Sequence, residues 1–162
     1  MKTHELEALV KTYAWFWGNL HQRWRAAIEE MYGLDAAVSV ELRMMESIGR
    51  RHASELKKIF GEVKGVSGFM KLFGFLPENL LENFEVVKLD ENEAIFRNSS
   101  CSAQKARLKK NLPEYPCKEP GLIYFKAFAT EIDPELRIGV ITAPPDLHPD
   151  DCWCEWRVYI EK

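Results

Sequence analysis

The chain has 162 residues, 46% hydrophobic and 29% charged, with a formal net charge of -3. That is the size and balance of one globular domain with a core of its own. It excludes a nucleic-acid binder driven by bulk charge, which needs a strong positive excess, so no nucleic-acid partner is expected.

Leu6, Leu9, Val10, Tyr13, Trp17, Leu20, Trp24, Ile28 and Met31 recur at helical spacing from about residue 3 to residue 32, and Gly33 marks the stop. At ~1.5 Å per residue such a helix is about 45 Å long, more than a core of this size needs. Trp15 lies off the apolar stripe. Length and stray aromatic together predict a homodimer through the N-terminal helices. The opening residues Met1-Lys2-Thr3-His4-Glu5-Leu6-Glu7 lack the basic start and apolar run of a signal peptide, and no later run reaches membrane-spanning length. The expectation is a cytoplasmic protein with no membrane partner, whose four cysteines are free, catalytic or metal-bound.

A second helix is expected over residues 35–60, with Asp35 as N-cap and Gly61 as stop. Residues 65–77 are dense in aromatics, including Phe69 and Phe73, and broken by glycines. They read as short helical turns, either a core plug joining two layers or a lid on an apolar pocket. The glycine spacing does not match a phosphate-cradling loop. A short helix follows Pro77, and residues 84–89 and 93–98 form a β-hairpin around Asp90-Glu91-Asn92. Ser99 and Ser100 cap a helix over about residues 101–110. After a loop with Pro113, Pro116 and Cys117, Pro120 opens a helix to Ile132, stopped by Asp133-Pro134, and residues 137–142 form a strand.

The stretch from Pro144 to Arg157 concentrates His148, Cys152, Cys154, Trp153, Trp156 and three aspartates, among them Asp146, behind three chain-stiffening prolines. From Cys152 the pattern alternates, with Cys152, Cys154, Trp156, Val158 and Ile160 on one face, so both thiols should point to the core. The order of elements predicts one α+β domain over residues 1–162: a mostly helical layer over 1–83 whose helical hairpin packs with an antiparallel sheet, and over 84–162 that sheet with its helices and the cysteine and histidine cluster.

Thiolates and imidazole are ligands that zinc prefers, so Cys117, His148, Cys152 and Cys154 form a candidate zinc set. On a strand Cys152 and Cys154 stand about 6.6 Å apart, so joint ligation needs a bend. The alternative is that Cys154 is a small buried apolar residue. Cys101 opens a predicted helix rich in Lys105, Arg107, Lys109 and Lys110, a setting that favours a thiolate nucleophile or an anion pocket, where Gln104 and Arg107 could meet a bound carboxylate. An ordinary solvated basic helix is the plainer alternative. His21 reads as a core or boundary histidine.

The runs Cys101-Ser102-Ala103-Gln104-Lys105-Ala106-Arg107, Pro116-Cys117-Lys118, Gly121, Ile132-Asp133-Pro134, Pro144-Pro145-Asp146, His148-Pro149 and Cys154 with Trp156-Arg157 resemble a widespread uncharacterised prokaryotic family of cytosolic proteins related to the aminothiazoline-carboxylate hydrolase-like proteins. Trp24, Tyr32-Gly33-Leu34 and the residues from Ala36 to Glu41 resemble the same family, so the likeness covers most of the chain. The C-terminal half is also similar in layout to the vinyl-reductase-type ligand-binding domain, which implies that Cys117 and Cys154 help hold zinc beside an apolar pocket. The pattern departs at Ala143, where relatives are expected to carry a cysteine; His148, Cys152 or Cys101 would have to complete the set.

Two function classes stay open. One is a cytosolic module that binds a small-molecule ligand, with Phe69, Phe73, Gln104 and Arg107 as contacts and zinc as a structural closure. The other is a hydrolase of a small amide-like or thiazoline-like substrate, in which Cys101 or a metal-bound water attacks and His148 or Asp146 serves as base.

Overall fold

The computed structural model describes residues 2–82 and 84–161. The apolar periodicity and glycine stops become two long helices, α1 (Thr3–Tyr32) and α2 (Leu34–Phe60). Gly33 at φ 89° and Gly61 at φ 79° adopt backbone conformations that strain any side chain, and each donates its amide to a carbonyl four residues back. There follow α3 (Gly65–Phe73), α4 (Pro77–Leu81), β1 (Phe84–Leu89), β2 (Glu93–Asn98), α5 (Ser102–Leu108), α6 (Lys118–Ile132), β3 (Leu136–Thr142) and β4 (Cys154–Ile160). The class is α+β, with all strand pairs antiparallel in the order β1-β2-β4-β3.

The C-terminal strand therefore lies inside the sheet. Ala94 and Phe96 of β2, Trp156 and Val158 of β4, and Leu136 and Ile138 of β3 turn inward to the core. On the other face Arg97 pairs with Glu85 and Arg157 reaches Glu93. At one edge β1 leaves Val86, Val87 and Leu89 exposed.

The aromatic segment is the core plug. Val66, Phe69 and Leu72 of α3 are fully buried, with the Phe69 ring edge-on to Phe128 at 5.5 Å and Phe73 at 4.4 Å from Phe96. Burying that many rings on the sheet outweighs the helix-weakening effect of Gly65 and Gly68. α2 and α6 cross in close contact because position 49 has no side chain: a Cβ there would lie 2.4 Å from the Tyr124 carbonyl oxygen. Among the described residues no helix is long and apolar enough to cross a membrane.

The last strand begins at Cys154, two residues later than the alternation implied. The ladder to β2 ends at the Asn98–Cys154 pair, and Cys152 lies in the preceding turn with its amide on the Pro149 carbonyl at 3.1 Å. The alternation read from Cys152 onward is therefore corrected: Cys152 is buried in the turn ahead of the strand, and Cys154, the first residue of β4, packs against the core.

Candidate functional site

A cavity of about 270 Å³ opens among α1, α2, α4 and the start of α6. Its walls are apolar: Trp17, Leu20 and Trp24 from α1, Met44, Met45 and Ile48 from α2, Phe73, Leu76 and Phe84 from the plug and the chain after it, and Pro120, Tyr124 and Phe125 from α6. Cavities of about 150 Å³ already admit benzene, so this one has room for a single ring with a short substituent. Gly121 also lines it, and a Cβ there would strike the Trp156 ring at 2.9 Å.

Two polar groups interrupt the apolar wall. In the first, Arg25 donates through Nη2 to Glu41 Oε1, His21 Nε2 stands 3.4 Å from the same oxygen, and the guanidinium lies 3.9 Å over the Tyr115 ring. Burial pushes the Glu41 carboxyl up, yet His21, Arg25 and Tyr115 together hold it below the ordinary value, so it stays ionised. In the second, Asn79 donates through Nδ2 to the Phe73 carbonyl, and Glu78 turns its carboxyl end inward although the residue as a whole is half-buried. Loss of water around that carboxyl raises its pKa to about 7. Tyr124 and His52 complete the second group with a 2.8 Å contact between the hydroxyl and Nδ1. Burial, with the Glu78 charge added, raises the Tyr124 pKa, so Tyr124 keeps its proton, donates to Nδ1, and leaves the His52 proton on Nε2.

Many of these atoms have no partner. Of the seven buried side-chain polar atoms that lack a hydrogen bond among the described residues, five belong to cavity residues: His21 Nε2, Arg25 Nε, Glu41 Oε2, Glu78 Oε2 and Asn79 Oδ1. Native interiors leave few such groups unsatisfied, so their concentration in one cavity marks a place where another molecule completes the bonding.

The residues singled out in the sequence fall mostly elsewhere. Phe73 and Cys117 line the cavity, while Phe69 is core. Gln104 is buried and clamps the Tyr115 backbone, accepting from its amide at 2.8 Å and donating to its carbonyl at 2.9 Å. Arg107 is held by Glu29 and the Pro113 carbonyl. Asp146 pairs with Lys118 at 2.8 Å, and His148 contacts Glu114 at 3.1 Å with its ring against Trp153. Of the set Cys117, His148, Cys152 and Cys154, His148 is turned to Glu114 and Trp153, while Cys154 lies within electrostatic reach of Cys117, Cys101 and Cys152. Among the described residues no three His, Cys, Asp or Glu side chains form a metal-holding group.

Cys101 caps α5, and burial raises its pKa by more than the amides of Ala103 and Gln104 lower it; the charges acting on it are Glu82 and Arg25. These neighbours lend the expected nucleophile no base. What sequence reasoning missed is the Arg25–Glu41 pair. Glu41 stands in a buried stripe of period four with Ala37, Met45, Gly49 and Ala53, and a lone carboxylate in such a stripe was the available signal.

Fold and site together define an α+β domain whose helices enclose an apolar cavity with buried, partly unsatisfied polar groups. The chain belongs to DUF6125, a family of unknown function whose model matches residues 1–160. No curated protein matches it. Among solved structures, it is similar to the crystal structure of the phenol-responsive sensory domain of the transcription activator PoxR with phenol, at 15% identity and a TM-score of 0.55, over 99% of this chain and 75% of that one. That likeness is one of fold. None of these comparisons links the chain to aminothiazoline-carboxylate hydrolase-like proteins.

Proposed function

We propose that the chain is a small-molecule-binding module whose ligand occupies the cavity between α1, α2, α4 and α6. The observation that carries this is the gathering of buried polar groups, with Arg25 Nε, Glu78 Oε2 and Asn79 Oδ1 unpartnered, on residues that line one apolar cavity of single-ring size. A fold shared with a phenol-responsive sensory domain supports a sensing role. The test is a thermal-shift screen of single-ring compounds against the wild type and against Met45→Trp, which fills the cavity. A ligand at a hundred times its Kd stabilises by about 2.7 kcal/mol, and Met45→Trp should abolish that shift. Undiminished binding by a folded Met45→Trp protein would place the ligand elsewhere.

The hydrolase alternative has less support, since Cys101 is buried with a raised pKa and its strongest electrostatic neighbours include no histidine. Zinc is a second reading with one observation in its favour, the mutual reach of the Cys101, Cys117 and Cys154 thiols. Burial pushes Cys117 and Cys154 up to about 12, so each would have to surrender a firmly held proton to a metal. Stoichiometric zinc in protein purified without chelators, lost in Cys117→Ser, would establish it; sub-stoichiometric metal would end it.

The assembly we infer is a two-fold homodimer through α1. Leu6, Leu9, Tyr13, Phe16 and Leu20 follow a heptad seam, and their exposures of 48, 37, 60, 52 and 68% leave that seam uncovered. An antiparallel copy centred on Tyr13 sets Leu6 against Leu20. Leu20 and Met44 line the cavity yet are exposed, so the partner would also cover its mouth. Light scattering at tens of micromolar should give a dimer mass, and Tyr13→Glu a monomer. A monomeric wild type refutes the dimer.

A further inference from the structure

The unpartnered atoms around the cavity specify what its occupant must carry, given that the cavity is a ligand site. Glu78 Oε2 and Asn79 Oδ1 come from adjacent residues of α4 and both atoms are buried; Asn79 Oδ1 is an acceptor, and Glu78 is one once its carboxyl ionises. The Asn79 amide is fixed the right way round for this, because its Nδ2 is committed to the Phe73 carbonyl. Against these stand Arg25 Nε, in a guanidinium already paired with Glu41, and His21 Nε2, 3.4 Å from Glu41 Oε1. A carboxylate ligand would meet the carboxyl groups of Glu78 and Glu41. A hydrocarbon would satisfy none. A hydroxyl brings no charge and leaves Glu78 with its proton, whereas a primary ammonium brings three hydrogens and a charge that pairs with the ionised carboxylate.

Charge points the same way. Among the described residues no cation is paired with Glu78: its titratable neighbour is Tyr124, backed by His52, and Arg25, which also lines the cavity, is engaged with Glu41. The walls carry Trp17, Trp24, Tyr124 and Phe125, whose ring faces attract a cation in a desolvated site.

We propose that the cavity selects a small apolar amine, one hydrocarbon ring on a short chain ending in a primary ammonium that donates to Glu78 Oε2 and Asn79 Oδ1. Binding then ionises Glu78. Because burial holds that carboxyl near 7 in the empty cavity, part of the population gives up a proton to solvent when the ammonium arrives. His52, whose pKa burial lowers, stays neutral through this step.

The experiment is isothermal calorimetry and thermal shift with a matched set: 2-phenylethylamine, 2-phenylethanol, 3-phenylpropionate and propylbenzene. The amine should bind at least about tenfold more tightly than the alcohol, a difference of about 1.4 kcal/mol, and the carboxylate should not bind. Calorimetry at pH 7 in buffers of different ionisation enthalpy should show proton release with the amine and none with the alcohol. Glu78→Gln, which removes only the charge, should weaken the amine at least about tenfold, leave the alcohol within about threefold, and abolish proton release. If the alcohol or propylbenzene binds as well as the amine and Met45→Trp blocks it, the amine class is overturned while the cavity stands as a ligand site. If no member binds to folded protein, both fall.

Discussion

Replacing Gly49 with alanine probes the contact that positions the inner wall of the cavity. The added Cβ would lie 2.4 Å from the Tyr124 carbonyl oxygen and 3.1 Å from Ala127 Cβ, where real contacts do not fall below 3.0 Å. Because the obstructing atom is helix backbone, no rotamer can relieve it, and α2 and α6 must part by at least about 0.6 Å. Two terms oppose each other. Alanine gains about 1 kcal/mol over glycine in a helix interior, and overpacking costs about 1–3 kcal/mol, occasionally more. The clash against backbone puts the balance on the side of loss, up to about 2 kcal/mol and a fall in Tm of up to roughly 8 °C for a chain of this length. Urea and thermal unfolding measure it. Tyr124 moves with α6, so amine binding should weaken as well. A Tm equal to or above wild type would show that helix propensity, not helix contact, governs position 49.

Glu41→Ala strands the Arg25 guanidinium in the interior and should cost about 3–5 kcal/mol in urea unfolding, with the double variant Arg25→Met/Glu41→Met less damaged; a double variant worse than Glu41→Ala would refute a buried pair. Glu78 titrates at about 7 folded against 4.5 ordinarily, so the neutral carboxyl stabilises the fold fully below about pH 4.5, and that contribution is lost as pH rises through 7. The loss is at most about 3 kcal/mol. Wild type should therefore lose stability relative to Glu78→Gln between pH 5 and pH 8, and a pH-independent difference would contradict the buried placement. Cys101 should react slowly with iodoacetamide near neutral pH until the protein unfolds, since burial raises its pKa; rapid native-state labelling would reopen the nucleophile.

Secondary structure was legible where local chemistry is decisive. The apolar spacing and Gly33 bounded α1, and the turn Asp90-Glu91-Asn92, in which Asp90 Oδ1 accepts from the amides of Asn92 and Glu93, bounded the β1–β2 hairpin. The start of β4 was not legible, because it depends on where the ladder to Asn98 ends, a long-range pairing. The same limit hid the site. Cysteines and histidines stand out as letters, but the cavity is built from Trp17, Glu41 and Tyr124, which look like ordinary members of amphipathic helices. Glu78 gave no signal at all: its burial follows from α4 lying under α1, where a Cβ on Gly18 would be 2.9 Å from Leu81 Cδ1.

The exposed edge of the sheet has a consequence for colloidal behaviour. A free strand bearing Val86, Val87 and Leu89 invites another chain to add alongside. In β1 the register slips between Val86 and Lys88, so Val87 opposes no residue of β2 and the strand kinks where a newcomer would have to lie flat. Lys88, pinned by Glu93 and Asp90, puts a charge at the same point. One unpaired valine and one lysine thus guard the folded protein against edge-to-edge aggregation.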